Sequence, residues 1–315
     1  MRIIFFGSPA AALPSLESLL AAGHTIELVV TQPDKPAGRG RRLAPSAVKT
    51  FALAHGIPVI EPARIRTDEA ALGRIRAAGP DVNVVVAYGQ IIPHAVHFFP
   101  CHHSLNVHFS LLPKYRGAGP VQWTVLNGDA ESGVTIIELD DRMDEGDILA
   151  QERVAVEPRE TASALEARLA VLGAGLLVST LARIDRLTRL KQDDVLATLA
   201  PKIRKEDGRV SWAETAAAID RKVLALAERP GVFTRIGEKR VNIVRGRALE
   251  SPECPPPDDE ADPGTILRIG KAGIEVACGA ATSYLIEDLQ PEGKSPMSAH
   301  AFSLGTKLAP GDSLV

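Results

Sequence analysis

Residues 82–88 read VNVVVAY, an almost unbroken run of branched apolar side chains. A strand with one wet face alternates apolar and polar residues, so a run without alternation belongs to a strand covered on both faces, as in a parallel sheet between helices. The N-terminus supplies neighbours for it. RIIFF at 2–6 is stopped by Gly7-Ser8-Pro9, a helical stretch covers about 14–22 and ends at Gly23, and residues 26–31 are again apolar and β-branched. Strand–helix–strand alternation starts a parallel α/β sheet. Further strands are expected over 105–109, 134–139 and 148–156, followed by a helix from about 161 to 190 with Thr161 as its N-cap. Gly7 stands without a G-x-G-x-x-G, so the dinucleotide-binding fingerprint is absent.

Beyond about residue 190 the texture changes. Short strands at 209–212, 233–236, 240–244, 264–269, 274–277 and 284–289 surround one helix at 215–227. That pattern suggests a small barrel of the OB type. Residues 251–263 are Pro-rich and acidic and read as an exposed loop. The expected organisation is an α/β Rossmann-like parallel-sheet domain over 1–190, a linker over 191–207 and an OB-like β-barrel over 208–315. With 315 residues, 45% hydrophobic and 24% charged, the chain has apolar content for two cores and is neither disordered nor collagen-like. A formal charge of −3 excludes a uniformly basic nucleic-acid binder but leaves room for basic patches. Three cysteines (Cys101, Cys254, Cys278) without a CxxC argue against a disulfide framework and fit a reducing compartment. No stretch reads as a signal-peptide core or as the roughly 18 apolar residues of a membrane span, so a soluble, cytoplasmic monomer is expected.

The chemistry concentrates between Ser104 and Pro120, SLNVHFSLLPKYRGAGP. On a strand, Asn106, His108 and Ser110 share one face, opposite Leu105, Val107 and Phe109. Burying such polar groups unsatisfied costs about 1–3 kcal/mol each, so they are either paired internally or line a cleft at the carboxyl end of the sheet. A lone strand histidine is ordinarily a satisfied structural residue. The loop LDDRMDEGD at 139–147 offers Asp140, Asp141, Asp144 and Asp147, whose plain reading is a solvated acidic turn. Five of the eight histidines (His94, His97, His102, His103, His108) lie near Cys101, but their spacing matches no familiar zinc pattern, and no metal is expected.

Asn106-Val107-His108-Phe109-Ser110-Leu111-Leu112-Pro113, with Arg116-Gly117 and Pro120, resembles the signature of the folate-dependent formyltransferases. Asp144-Glu145-Gly146-Asp147 resembles that family's acidic loop. The stretch 33–49, the segment APKIRKEDGRVSW at 200–212 and the C-terminal LQPEGKSPMSA and PGDSLV are similar to the members that formylate methionyl-tRNA. The resemblance covers nearly the whole chain. Three departures stand out: Phe109 where the family has a small residue, Asp140-Asp141-Arg142-Met143-Asp144 where it commonly shows Asp-Val-Gly-x-Asp, and Ala-Glu-Arg before Pro230 in place of Asn-Pro-Trp.

The resemblance implies transfer of a formyl group from 10-formyltetrahydrofolate to the α-amine of initiator methionyl-tRNA. It implies Asn106 and His108 as donors to the tetrahedral oxyanion and Asp144 as the carboxylate that orients His108 and relays a proton. Ser110, Leu111, Leu112, Pro113, Tyr88, Gln90, Ile91 and Asp140 are then expected to frame the folate. An ordinary strand-to-helix turn is the plain reading of Tyr88-Gly89-Gln90. Residues 33–49 carry five bases and one acid, which suits phosphate contact through Lys35, Arg39, Arg41 and Arg42. Residues 202–250 hold 12 bases and 7 acids, whereas 251–315 hold 4 and 10, so a positive face is expected on one part of the barrel domain. Two other readings remain: a folate enzyme that formylates or deformylates a small molecule, and a non-enzymatic RNA-binding protein on an inactive scaffold of this kind.

Overall fold

A computed structural model describes residues 1–37, 42–249 and 261–315. The chain divides into two compact units. The first comprises Met1–Val121, Ala130–Val156 and Ala164–Pro201, and the second comprises Gln122–Asp129, Glu157–Ser163 and Lys202–Val315. Residues 191–201, read from sequence as linker, therefore lie in the first unit.

The first unit carries, in chain order, β1 (Arg2–Gly7), α1 (Leu13–Ala21), β2 (Thr25–Val30), the antiparallel pair β3 (Lys35–Ala37) and β4 (Arg42–Ala44), α2 (Ala47–Ala54), β5 (Val59–Ile60), α3 (Glu69–Ala78), β6 (Val82–Val86), α4 (His94–His97) and β7 (Ser104–His108). After α5 (Pro120–Asn127), most of which belongs to the second unit, come β8 (Glu131–Glu138), β9 (Ile148–Ala155) and α6 (Ala162–Leu181). Seven strands form one sheet in the order β5-β2-β1-β6-β7-β8-β9. Every residue of β6 is buried, as its unbroken apolar run requires. Its one polar member, Asn83, donates its amide to Val96 O and Ser104 Oγ at 2.9 Å each. The chain starts at β1, builds outward to β5, then resumes on the other side of β1 with β6 and β7. The order thus reverses between β1 and β6, the place where open α/β sheets bind ligands.

Strands β5 to β7 run parallel, but β8 and β9 are antiparallel. The β8–β9 connection, 139–147, is too short for the crossover that a parallel pair needs. The helix expected to reach residue 190 stops at Leu181. Residues beyond it turn back, and Leu190 adds to the sheet edge by exchanging backbone hydrogen bonds with Ile148 at 2.8 and 2.9 Å. By length and composition α6 is apolar enough to cross a membrane, contrary to the expectation that no stretch is. It packs as a core helix on the sheet instead: Leu165, Leu169, Ala174, Leu177 and Leu181 are buried, and an added Cβ on Gly173 would lie 2.8 Å from Val107 and 3.2 Å from Val134. Each such buried Leu contributes about 1.5–3 kcal/mol.

The second unit holds α7 (Ala216–Leu226), β10 (Val232–Ile236), β11 (Lys239–Ala248), β12 (Ile266–Gly270), β13 (Gly273–Cys278), β14 (Thr282–Pro291), β15 (Met297–Ser298) and α8 (Ala299–Thr306). The antiparallel order is β10-β11-β14-β13-β12, with β15 on β14. The last residues close the ring. Val315 exchanges backbone hydrogen bonds with Arg235 of β10, while Leu314 N–H donates to Gly264 O and Ile266 N–H to Asp312 O at the β12 edge. The strand expected over 209–212 is only a single bridge, Arg209 to Phe233. Trp212 there is buried, with Nε1 donating to Thr234 Oγ1 at 3.0 Å.

Candidate active site

β7 presents Asn106 and His108 on one face, and His108 is its last residue, at the carboxyl end of the parallel strands. His108 is buried. Its Nε2 lies 3.0 Å from Tyr115 O, and a carbonyl only accepts, so Nε2 carries a proton. Nδ1 faces Asp144 Oδ2 at 3.6 Å, longer than a hydrogen bond. Asn106 Nδ2 reaches Asp144 Oδ1 at 3.4 Å, and Gly117 N–H donates to Asp144 Oδ2 at 2.9 Å. The three residues singled out from sequence meet at one point, with Asp144 only partly buried.

Asp144 sits in the left-handed region, φ 57°, a conformation that Asp tolerates better than most residues. Gln192 holds it there, since Nε2 donates to both Asp144 O and Gly146 O at 2.8 Å. Buried Arg116 positions Gln192 in turn. Its Nε donates to Gln192 Oε1 at 3.0 Å and its Nη2 pairs with Asp194 at 2.8 Å. The backbone beside Arg116 is locked to 198–200, with Arg116 N–H on Thr198 O and Ala200 N–H on Arg116 O, both 2.8 Å. Gly117 has φ 127°, and a Cβ there would lie 2.6 Å from Ala200 O, so only glycine delivers this N–H to Asp144. Sequence reasoning missed Tyr115 O, Gly117 N–H, Arg116 and Gln192 as parts of the site. Arg116-Gly117 was visible in the motif, whereas Gln192 carried no local signal.

The expected folate-binding residues divide. Thr135 organises the turn 110–113: its Oγ1 donates to Ser110 O at 2.6 Å and accepts from Leu112 N–H at 3.1 Å and Gln151 Nε2 at 2.9 Å. Ser110 Oγ donates to Lys114 O, Leu112 is buried, and Leu111 and Pro113 are half-buried. Asp140 caps its own loop by accepting from Arg142 N–H at 2.9 Å. Tyr88 is instead a core side chain, edge-on to Phe6 at 5.5 Å, with burial pushing its phenol pKa up. Gln90 ties down the preceding loop through Pro62 O and Ile65 N–H. The side chains of Tyr88 and Gln90 are thus engaged within the protein, whereas Ile91 is exposed. Phe109 shares the Val107 side and lies 3.6 Å from the Cβ position of Gly173, away from the Asn106–His108 face.

Of the basic loop, Lys35 donates to Gln32 Oε1, whose amide donates to Tyr88 O at 2.7 Å. Arg42 lies in β4 by its backbone, while Arg39 and Arg41 fall outside the described residues. Lys49 is engaged by Asp34 at 2.7 Å and Glu61 at 2.9 Å. In the second unit, Arg245 pairs with Asp288 at 2.8 Å, Arg247 with Glu287 at 3.6 Å and Lys222 with Glu214 at 2.9 Å. Counting charge by stretches of sequence separated Arg245 and Arg247 from their partners, so the positive face is weaker than the count of bases implies. The histidine cluster disperses as well. His103 pairs with Glu138 at 2.6 Å, His102 lies 3.8 Å from Asp185, and His94 and His97 meet at Asp141.

Residues 1–181 match the formyl transferase family profile, and residues 202–307 match the formyl transferase C-terminal domain. The methionyl-tRNA formyltransferase of Thiobacillus denitrificans is 44% identical over 314 residues, covering 100% of this chain and 99% of that one. That of Geobacter metallireducens is 41% identical over 99% of this chain and 97% of its own. Among solved structures, HypX from Aquifex aeolicus in complex with tetrahydrofolic acid superposes with a TM-score of 0.65 at 16% identity, covering 96% of this chain and 47% of that one. An N-formyltransferase from Helicobacter canadensis, in complex with folinic acid and dTDP-3-aminofucose, gives 0.65 at 19% identity over 92% of this chain and 99% of its own. Identity of this level along the full chain settles the assignment: the protein belongs to the methionyl-tRNA formyltransferase family.

Proposed function

We propose that the chain transfers the formyl group of 10-formyltetrahydrofolate to the α-amine of initiator methionyl-tRNA, at the point where Asn106, His108 and Asp144 meet. The reading is carried by one observation: His108 has Nε2 anchored to a backbone carbonyl and Nδ1 turned toward a carboxylate that it does not touch. The methionyl amine attacks the formyl carbon, forming the new C–N bond and a tetrahedral oxyanion. Asn106 Nδ2 and protonated His108 Nδ1 donate to that oxygen, and each such donor typically supplies about 2.7–4 kcal/mol of transition-state stabilisation. Asp144 balances the imidazolium charge and accepts the proton lost by the amine, directly or through a water. The oxyanion then re-forms the carbonyl as the bond to the folate nitrogen breaks, and Asp144 returns the proton, directly or through a water, to that leaving nitrogen. The turn 110–113, Asp140 and the backbone of 88–91 line the side on which the folate lies.

The tRNA reading rests on the relatives and on the basic loop. Lys35, Arg39, Arg41 and Arg42 are assigned to phosphates of the tRNA. The deciding measurement offers 10-formyltetrahydrofolate with charged initiator tRNA, with amino-sugar nucleotides or with water as acceptor. Formylation of the tRNA alone is expected. Faster transfer to a small amine, or release of formate, overturns the tRNA assignment. Changing Arg41→Ala with Arg42→Ala is expected to flatten the salt dependence of tRNA binding by about two units, while an unchanged slope removes these residues from the interface.

A further inference from the structure

His94 and His97 lie three residues apart on α4, where positions i and i+3 share a face. Asp141, from the β8–β9 loop, lies between them: Oδ1 is 3.1 Å from His94 Nδ1 and 3.1 Å from His97 Nε2, and all the ligand atoms fall within 4.8 Å of one another. Asp141 stands where the formyltransferase pattern carries valine. Among the described residues, this is the one group of three or more His, Cys, Asp or Glu gathered closely enough to hold a metal ion.

We propose that His94 Nδ1, His97 Nε2 and an Asp141 carboxylate oxygen bind a divalent transition ion of the zinc class, with solvent in the remaining position. Two imidazoles and one carboxylate suit Zn2+ and its neighbours, whereas Mg2+ and Ca2+ want oxygen alone. With bonds of about 2.0–2.1 Å, the ligand atoms of a tetrahedral site lie roughly 3.4 Å apart, and the two nitrogen–oxygen separations are already near that value. His97 is fixed, with its side chain 2% exposed, whereas His94 and Asp141, at 66% and 65%, are free to adjust and open to an arriving ion. The second ring nitrogen of His97, Nδ1, is buried without a partner, so the only engaged nitrogen of that ring is the one aimed at Asp141. Once Nε2 binds the ion, the ring proton resides on Nδ1 with no acceptor, which keeps the affinity below that of a fully braced zinc centre. Asp141 is three residues before Asp144, so the ion clamps the loop carrying Asp144 onto α4. The proposal does not depend on formyl transfer.

The test titrates the chelator-treated, full-length protein with Zn2+ by calorimetry and with Co2+ by visible absorption. One equivalent of either ion is expected, with the d–d bands of a four-coordinate Co2+ site and a rise in Tm on adding Zn2+. Asp141→Ala and His94→Ala, both at exposed positions, are each expected to weaken binding by more than about tenfold and to abolish the bands. Wild-type binding no tighter than that of Asp141→Ala, or a six-coordinate Co2+ spectrum shared by both proteins, overturns the site. Either result leaves the formylation reading untouched, because no acceptor or folate enters the measurement.

Discussion

In the first unit, one set of buried polar side chains gathers at the carboxyl end of β7; in the second, Thr234, Glu275 and Ser283 lie along the strands and join neighbours. His108, Ser110, Arg116 and Thr135 each engage the backbone or side chains of a loop at the carboxyl end of β7. In the barrel, Thr234 accepts from Trp212 and donates to Val315 O, and Ser283 donates to Glu275 on the adjacent strand. These latter groups pair with one another and close the ring. The first set secures everything except the 3.6 Å gap between His108 and Asp144. A polar cluster that is braced on the outside and open at its centre marks chemistry, whereas one that satisfies itself marks architecture.

Single substitutions on each side sharpen that contrast. Asp144→Ala removes the carboxylate at the open centre, and single-turnover formylation is expected to fall by about 10²–10³-fold with Tm nearly unchanged. A rate near wild type would place Asp144 among the architectural groups. Leu314→Ala acts the opposite way. Leu314 is 4% exposed within the segment that closes the barrel, so its truncation is expected to cost about 2–4 kcal/mol in urea unfolding of the second unit. Folate binding, which needs only the first unit's groups, should stay within about twofold if the contrast holds.

Local pattern was enough to locate β1, β2, β6 and β7, because buried parallel strands carry their signature in a few consecutive residues. It was also enough for Asn106 and His108, which sit two apart on one strand. Asp144 came only through the family resemblance, since DDRMDEGD alone reads as a solvated turn. What was not legible depends on distant residues. The amide of Gln192 grips a loop 48 residues away, and Arg116 reaches Asp194 across 78. Similarly, neither the barrel's closure by Leu314 and Val315 nor the pairing of Asp141 with His94 and His97 has any local periodicity. The antiparallel sense of β9 against β8 follows from their short loop, whereas the reversal of β8 against β7 lies across a long connection carrying α5 and had no local signal, since the apolar pattern does not distinguish the two senses.

Gln192 provides an intermediate test, because it touches two backbone carbonyls of the catalytic loop and none of the groups assigned to the reaction. Gln192→Ala leaves Asp144 in place through Gly117 N–H but unclamps the loop on its other side. Losing the pair of hydrogen bonds is expected to cost about 1–2 kcal/mol of transition-state positioning, read as a fall in kcat of about 5–30-fold with KM for tRNA little changed. Equal losses in kcat and in Tm would mean that Gln192 serves folding alone.

The smallest expected effect lies in the barrel and is read against pH. Asp220, with its side chain 13% exposed, pairs with Arg159 at 2.6 Å, while its Oδ1 is buried without a partner. Burial pushes its carboxyl pKa up, and the Arg159 guanidinium offsets only part of that rise. A raised carboxyl pKa means that the folded chain holds this proton over a pH range in which the unfolded chain has released it. The contribution of Asp220 to stability is therefore greatest below the ordinary carboxylate pKa and declines as pH rises through the folded value. Asp220→Asn cannot titrate, so the urea midpoint of wild type minus that of the variant should fall as pH is raised above the ordinary carboxylate range and level off once the folded carboxyl has ionised. A difference that stays flat over that range would show that Arg159 fully compensates the burial. Asp220 would then resemble the saturated pairs of the barrel, such as Ser283 with Glu275, rather than a charge held at a cost.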